Sequence, residues 1–364
     1  MDYEIVIATR NRTSALELSL PLMLRQQRLP KGIFIVDSSD DHKATAEVVD
    51  RICTDSPVPV TLEQAPRGLT LQRNIGLSRV NSPVVMFPDD DALWSPDVAD
   101  RMMNVYERDK DERISAVCAA PAAVPPAGVL SGSAAGGYRM SFGARVRQWV
   151  AHPRTALERR LCADPFVVHG RSMWNARDLP DWFAEDDVVP VEYMTGYRMS
   201  FRTSVAKQVG FDEHLADYAL NEDVDASFGA WRHGIVAGAR QARVYHYQAP
   251  GKRASGRQLG VMEVLNRAYV VCKHAPLDAP ARRTLKRFSR YKLLGYLGGV
   301  RSTFGRERVI GVRIAIAQLP KLLAASADEL PQAYRTAWAA CLGSQAAPTC
   351  PESRRAALTP TSQN

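Results

Sequence analysis

The chain has 364 residues, of which 46% are hydrophobic and 24% are charged, and this composition indicates a globular protein rather than a fibrous or disordered chain. Its six cysteines are scattered and contain no Cys-x-x-Cys pair, which argues against a disulfide framework or a zinc site. We find no secretory signal at the N-terminus and no uncharged apolar stretch near the roughly 18 residues that a membrane span needs. The sequence therefore predicts a cytoplasmic protein.

Short apolar runs alternate with helical patterns over the first ninety residues. We predict strands at 4–9, 33–36, 58–62 and 84–87, and helices at 14–25, 44–52 and 71–79. Such alternation predicts an α/β fold with a mostly parallel sheet flanked by helices. Residues 258–325 are predicted to be mainly helical, and they form a C-terminal extension of this fold.

The net charge of +8 is concentrated in that extension. Between Arg282 and Lys321 there are eleven Lys and Arg residues against one acid, Glu307, so this segment carries +10 and the rest of the chain −2. An enzyme acting on nucleic acid usually spreads basic charge over its working face. We therefore expect no nucleic-acid partner, but a local anionic one.

Polar residues follow several of the predicted strands. Thr9 and Arg10 end the first strand, Asp37 ends the second, and the triplet Asp89 to Asp91 ends the fourth. Ligands of parallel sheets bind beyond the carboxyl ends of the strands, so these residues predict a binding site at that edge.

The aspartate triplet is the sharpest single signal. Neighbouring carboxylates repel and raise one another's pKa unless a cation lies among them. Mg²⁺ or Mn²⁺ would relieve this repulsion, because both prefer a few carboxylates together with substrate phosphates. The alternative is a solvated turn that caps the next helix, since Asp is common at such positions.

Taken together, six segments resemble the family 2 glycosyltransferases of the GT-A fold, in order and in spacing. They lie at 7–12, 36–39, 72–76, 89–97, 196–213 and 221–225, within a resemblance that runs from Tyr3 to Tyr247. The resemblance implies a Rossmann-like sheet and an inverting transfer of sugar from a nucleotide diphosphate to an acceptor hydroxyl. The Gln-x-x-Arg-Trp motif of processive members is missing, which suggests a non-processive enzyme.

The resemblance also divides the chain. We predict a nucleotide-sugar-binding half at 1–120, a variable loop or helical insertion at 121–190 and an acceptor-side half at 191–250. A basic helical region at 251–342 and a disordered tail at 343–364 follow.

Roles for individual residues follow from the same resemblance. The donor would contact Thr9, Arg10, Arg12, Asp37, Arg73, Asn74, Asp89 and Asp90, with Asp37 at the nucleobase and with Arg10 and Arg73 at the diphosphate. A divalent metal, Mg or Mn, would be held by Asp91, Asp89 and His246. Asp223 would be the general base, and Glu222 would orient the acceptor or the helix start.

Simpler interpretations of these residues stay open. Asp37 is also explained as a turn residue, and His246 as a hydrogen-bonded histidine in an aromatic cluster. Glu222 and Asp223 are also explained as acids that complement a helix dipole. Arginines such as Arg73 are common on protein surfaces.

The acceptor is predicted to be a saccharide or a lipid-linked saccharide. Arg283, Lys286, Arg287 and Arg290 share one helical face, and another face carries Leu285, Phe288 and Tyr291. This pattern is typical of a helix that lies on an anionic membrane, so we predict a peripheral contact through 282–321 on the inner face of the cell membrane. The alternative is a solvated basic face packed on the catalytic domain.

Two other functions are possible on a sheet of this kind. A sugar nucleotidyltransferase would carry a Gly-rich phosphate loop after the first strand, and the segment from Thr9 to Arg12 contains no glycine. A non-catalytic protein that binds a sugar nucleotide or a glycan on the same fold would be expected to have lost the acidic motifs, which are intact here.

Overall fold

The computed structural model describes residues 1–129, 163–215, 218–249, 254–275 and 279–343. Of the insertion predicted at 121–190, residues 130–162 lie outside the described residues, and so does the predicted tail after Gly343.

The described residues form one sheet with helices around it. The strands are β1 (Tyr3–Thr9), β2 (Ile33–Asp37), β3 (Val60–Gln64), β4 (Val84–Phe87), β5 (Ala92–Trp94), β6 (Ile114–Pro121), β7 (Val188–Pro190), β8 (Met199–Arg202) and β9 (Ile235–His246). The helices are α1 (Thr13–Leu24), α2 (His42–Cys53), α3 (Leu69–Arg79), α4 (Val98–Arg108), α5 (Pro165–Asn175), α6 (Trp182–Glu185), α7 (Thr203–Val209), α8 (Glu222–Trp231), α9 (Gly256–His274), α10 (Ala279–Tyr296), α11 (Thr303–Ala324) and α12 (Leu330–Leu342).

The sheet confirms the predicted fold class, an α/β sheet flanked by helices with a helical C-terminal region. Its strand order is β3-β2-β1-β4-β8-β6-β9-β5, and β7 pairs with β9. Strands β1 to β4 pair in parallel, whereas β8 is antiparallel to β4 and β6, and β9 is antiparallel to β5 and β7. The sheet is therefore parallel in its first half and mixed beyond β4. The apolar side chains of a strand of three or four residues do not encode its direction, so the sequence did not reveal this difference.

Helix α3 lies unusually close to the parallel half of the sheet. A Cβ atom at Gly76 would clash with the side chain of Val6 on β1 and press on Val36 of β2. Because glycine has no side chain, α3 can approach until Gln72 and Arg73, one helical turn earlier, point into the sheet's carboxyl edge. Both side chains are buried.

Register brings the predicted polar residues to one edge. Thr9 is paired with Asp37 at the ends of β1 and β2, and Ala8 forms an isolated parallel bridge with Asp89 just after β4. Farther along, Ala92 of β5 is opposite His246 at the end of β9. The antiparallel pair β5–β9 therefore places His246 beside the aspartate triplet, although 155 positions of sequence separate His246 from Asp91.

The C-terminal helices pack on the catalytic part of the chain and on one another. In α10, Leu285 and Phe288 are buried, and the guanidinium of Arg267 on α9 lies 4.5 Å from the Phe288 ring centroid. The apolar face of α10 is therefore not available to a membrane, because Leu285 and Phe288 face the protein interior. The predicted membrane contact through 282–321 stays a prediction. The four basic residues predicted on the other face are exposed. Within the described ranges, we find no helix with both the length and the apolarity that a bilayer span requires.

Candidate active site

A cleft of about 460 Å³ opens at the carboxyl edge of the sheet. Its walls come from the ends of β1, β4 and β9, from the start of α3 and from the first turns of α9. Seven of the residues that the sequence predicted for donor or metal line it together: Thr9, Arg10, Arg12, Asp89, Asp90, Asp91 and His246.

Hydrogen bonds from neighbouring residues fix both the side chain and the backbone of Asp90, the middle aspartate of the triplet. Thr9 Oγ1 donates to Asp90 Oδ2 at 2.9 Å, and Arg12 Nη1 donates to Asp90 Oδ1 at 2.8 Å. Ser19 Oγ fixes the same residue through its backbone carbonyl at 2.6 Å. Burial raises the pKa of Asp90 to about 7, although Arg12 acts in the opposite direction. These hydrogen bonds hold Asp90, and with it the triplet, in place.

The outer two aspartates meet a histidine. Asp89, Asp91 and His246 each offer a ligand atom, and these atoms lie within 4.8 Å of one another. Asp91 Oδ1 is buried and accepts no hydrogen bond, while His246 Nε2 lies 3.2 Å from it. Carboxylate oxygens with one imidazole suit a hard or borderline divalent cation such as Mg²⁺ or Mn²⁺. The residues present therefore fit the predicted metal.

Asp91 is prepared for such a role by its surroundings. Burial disfavours its charge, but His246, Arg12 and the backbone of Ala249 outweigh burial and lower its pKa. The Ala249 amide donates to Asp91 Oδ2 at 3.0 Å. The carboxylate therefore stays ionised, as a metal ligand must be.

Arg73 connects the triplet to the acids of α8. Its side chain is 2% exposed, and its guanidinium donates to Asp89 Oδ1 at 2.9 Å and to Glu222 Oε1. The guanidinium also lies over the ring of Phe211, 5.2 Å from the centroid. Arg73 does not line the cleft, and its charge already serves two carboxylates.

Asp223 and Glu222 begin α8. Asp223 accepts backbone hydrogen bonds from Gly196 at 2.9 Å and from Val224 at 2.8 Å. Burial is the largest cause that raises the pKa of both acids. In Glu222 the charge of Asp223 adds to this effect, and Arg73 opposes it. A carboxyl group with a raised pKa binds a proton more readily, which is the property that a general base needs.

The segment Gly196–Tyr197 contacts both groups of residues. The Gly196 amide holds Asp223, and the Tyr197 ring stacks on His246 with centroids 4.4 Å apart and planes 15° apart. This stacking fits the simpler interpretation of His246 as a histidine in an aromatic cluster. It is also compatible with a role as a metal ligand. The two neighbouring residues Gly196 and Tyr197 therefore connect the acids of α8 with the candidate metal cluster, although neither Glu222 nor Asp223 lines the cleft.

Besides Arg73, two predicted donor residues lie away from the cleft lining. Asp37 is fully buried, and its carboxylate accepts from Ser39 N at 2.9 Å and from Ser39 Oγ, while His42 Nδ1 lies 2.7 Å from its other oxygen. Asn74 braces α3 instead, by bonds to the backbone of Phe211 and to Glu213. The roles predicted for both in donor binding stay predictions.

The structure adds cleft residues that the sequence did not single out. Gln72 donates to the carbonyls of Thr9 and Val36 at 2.9 and 2.7 Å and so ties α3 to the strand ends. Gln258 and Met262 come from α9, far along the chain. The one local signal there is Ser255, which with Gln258 forms a capping box at the start of α9. This signal marks a helix start but not a cleft.

Residues 4–127 match the family model described as Glycosyl transferase family 2. This segment belongs to glycosyltransferase family 2. The match covers β1 to β6 and therefore includes the aspartate triplet, and it confirms the family resemblance over this part of the chain. No curated protein matches the chain significantly.

Two solved structures are similar to the chain at low sequence identity. The S. aureus TarS 1–349 in complex with UDP-GlcNAc is 13% identical over 93% of this chain and 90% of that one, with a TM-score of 0.48. Mannosyltransferase PcManGT from Pyrobaculum calidifontis, in complex with GDP-Man and Mn2+, is 18% identical over 98% of this chain and 78% of that one, with a TM-score of 0.45.

Proposed function

We propose that this protein transfers a sugar from a nucleotide-diphosphate donor to an acceptor hydroxyl with inversion, assisted by a divalent metal. The observation that carries the proposal is the partly buried cluster of Asp89, Asp91 and His246, which lines a cleft whose aspartates belong to the family 2 segment. Arg73 and Gly196 connect this cluster with Asp223, the second acid that the reaction needs.

The donor would lie along the carboxyl edge of the sheet. Thr9, Arg10 and Arg12 line the cleft next to the triplet. Arg10 pairs with the exposed Asp40 and would turn to the diphosphate oxygens, whereas Arg12 is held by Asp90 and Asp91 and would contact the donor from there. Asp91, Asp89 and His246 would hold the metal, which when bound neutralises the charge of the departing diphosphate.

Asp223 would take the proton of the acceptor hydroxyl as that oxygen attacks the anomeric carbon. Backbone amides fix its carboxylate, so the proton acceptor is positioned before the substrate arrives. One base opposite the leaving group gives a single displacement, and therefore inversion. Glu222, fixed by Arg73, would keep the start of α8 and thus Asp223 in place.

The test is a donor screen. Purified protein is incubated with a panel of nucleotide-diphosphate sugars and with candidate saccharide and lipid-linked acceptors, in Mn²⁺ or Mg²⁺, and nucleotide release and glycosylated product are measured. Asp91→Asn and Asp223→Asn should each lower kcat by about a hundredfold or more, since each removes a group acting on the reacting atoms. Asp91→Asn should also weaken metal binding, whereas Asp223→Asn should not.

The matched control is Asp97→Asn, a nearby aspartate outside the cleft, which should keep wild-type activity. Activity that survives both site substitutions would refute the assignments. Donor binding without turnover for any acceptor would instead favour a non-catalytic sugar-nucleotide-binding protein.

A further inference from the structure

A cluster of apolar side chains is exposed where α10 passes into α11. Leu294 is 66% exposed, Leu297 48%, Val300 37% and Phe304 49%. These four large apolar side chains fall within eleven consecutive residues, which we call the apolar turn (294–304). Single exposed apolar residues are normal on a protein surface, but a contiguous group marks an interaction site.

The apolar turn lies at the surface of the described part of the protein. A Cβ atom built at Gly295 or at Gly298 would meet no atom within 4 Å. Gly299 instead packs on α11, because a Cβ atom on Gly305 would collide with the Gly299 carbonyl. The small size of Gly295 and Gly298 leaves the neighbouring leucines exposed.

The surroundings of the apolar turn are basic. Arg290, Arg301 and Arg306 are exposed, and Arg306 donates to Thr303 Oγ1 at 3.2 Å, which keeps its guanidinium beside the turn. The whole segment 282–321 contains only one acid, Glu307. Apolar side chains ringed by cations are complementary to an anionic bilayer, since the former enter the acyl boundary while the latter meet the lipid phosphates.

The apolar turn also lies close to the cleft. The backbone of Phe304 packs so tightly on Gly256 that a Cβ atom there would collide with the Phe304 carbonyl. Gly256 begins α9, and Gln258 and Met262 in the next turns of that helix line the cleft. One helix start therefore joins the two features.

We propose that the apolar turn docks on an anionic lipid bilayer and holds the cleft near its surface. The contact differs from the one that the sequence predicted, because the apolar face of α10 is buried in the protein and the exposed apolar residues lie at its C-terminal end. The proposal goes beyond the proposed function and does not require it, because docking can be measured without any turnover.

Vesicle flotation tests the proposal on the full chain. Wild-type protein should float at low salt with vesicles of phosphatidylglycerol and phosphatidylcholine in equal parts, and should stay behind with pure phosphatidylcholine. The triple variant Leu294→Ser/Leu297→Ser/Phe304→Ser should lower the apparent partition coefficient by more than about tenfold, because it removes the inserting apolar groups. Arg290→Gln/Arg301→Gln should weaken binding as raised salt does.

Leu29→Ser is the matched control, because Leu29 is 46% exposed on the catalytic part of the chain and far from the basic segment in sequence. This variant should bind vesicles as the wild type does. All substitutions are at exposed positions, and an unchanged melting temperature verifies folding. The proposal is wrong if the wild type ignores anionic vesicles at low salt, or if the triple variant binds them as well as the wild type. It is also wrong if the triple variant turns a dimer into a monomer without affecting vesicle binding, because the turn would then be a protein interface.

Discussion

Gly196 illustrates how tightly the residues of the candidate site fit together. A Cβ atom at this position would lie 3.2 Å from Glu222 Oε1, 3.4 Å from Arg73 Nη2 and 3.8 Å from Asp223 Oδ2. The absence of a side chain therefore lets the Gly196 amide approach Asp223 while Arg73 reaches Glu222.

We expect Gly196→Ala to lower kcat by about tenfold or more, because the added methyl group displaces the acids that α8 presents. Steady-state kinetics with the donor found by the screen would measure the effect. Gly295→Ala is the control, since its Cβ has open space around it. Equal activity of both variants would show that the fit around Gly196 has no bearing on the reaction.

His169 gives a prediction about pH. Its ring packs edge-on against Phe228, with centroids 4.6 Å apart, and burial together with His274 and Arg232 lowers its pKa from 6.5 to about 4. Between these values the unfolded chain binds a proton that the folded chain does not bind. The free energy of unfolding should therefore fall as pH drops from about 6.5 to about 4, and this contribution should level off below pH 4.

Urea unfolding across that range, for wild type and His169→Gln, isolates the contribution of His169 from those of the carboxylates. We expect the variant to lose about 1–2 kcal/mol less over the interval, since solvent partly screens a half-buried group. Identical pH slopes for the two proteins would contradict the assignment.

For individual residues, the sequence predicted which polar side chains line the cleft better than it predicted which residues they contact. Thr9, Asp89 and Asp91 follow apolar strands, and the physics of parallel sheets places them at one edge. That His246 would join them was implied only by the family resemblance, because the antiparallel pairing of β5 with β9 brings it there. Arg73 forms ion pairs with Asp89 and Glu222 because of tertiary packing, and the spacing of these residues in the sequence does not predict the pairs.

Among the elements, α8 depends on α9 for its position. Asp225, one turn into α8, is 2% exposed and receives Lys273 Nζ at 2.9 Å and His274 Nε2 at 2.8 Å from the end of α9. Lys273 also donates to Asp212 at 2.7 Å. Helix α9 therefore fixes α8, the helix that starts with Glu222.

Lys273→Met should lower the free energy of unfolding by about 2–4 kcal/mol, because it leaves two buried or nearly buried carboxylates without their shared cation. Urea denaturation would measure this loss. Lys286→Met, on the exposed face of α10, is the control and should change stability by less than about 0.5 kcal/mol. Similar losses in the two variants would show that the tie between α8 and α9 contributes little.

Elements were predictable from sequence where an apolar run has clear ends. Strand β4 was predicted with its observed bounds, since Val84–Phe87 is continuous and apolar between Ser82-Pro83 and Pro88. Strand β9 has a strand-like sequence pattern only in its last part, 242–247, because the segment Ala237-Gly238-Ala239 lacks the larger side chains typical of strands. The contribution of α9 to the cleft was missed because packing, not local sequence, carries it there.

On the scale of the whole molecule, the C-terminal helices are part of the same folding unit as the sheet. Asn266 of α9 donates to the Leu220 carbonyl just before α8 and accepts from Tyr334 of α12 at 2.7 Å. Tyr334 and Trp338 are themselves buried in the continuous apolar core.

A chain truncated after residue 302 should therefore lose cooperative unfolding, because the truncation removes α11 and α12 and exposes the apolar side of α9 to water. Far-UV circular dichroism during thermal unfolding, with size-exclusion chromatography, would show this against the full-length protein. A truncated chain that melts as sharply as the full one would mean that the two parts fold independently.

Arg12 affects how stable the aspartate triplet is when no divalent cation is bound. Its guanidinium lies between Asp90 and Asp91, at 2.8 and 3.2 Å, so the aspartates carry a resident counter-charge of their own. The aspartate triplet can thus form without a divalent cation, so the proposed metal would be exchangeable and would not be needed for folding. A chelator such as EDTA should abolish turnover yet leave the melting temperature within about 2 °C, and a larger drop would mean that the ion also supports the fold.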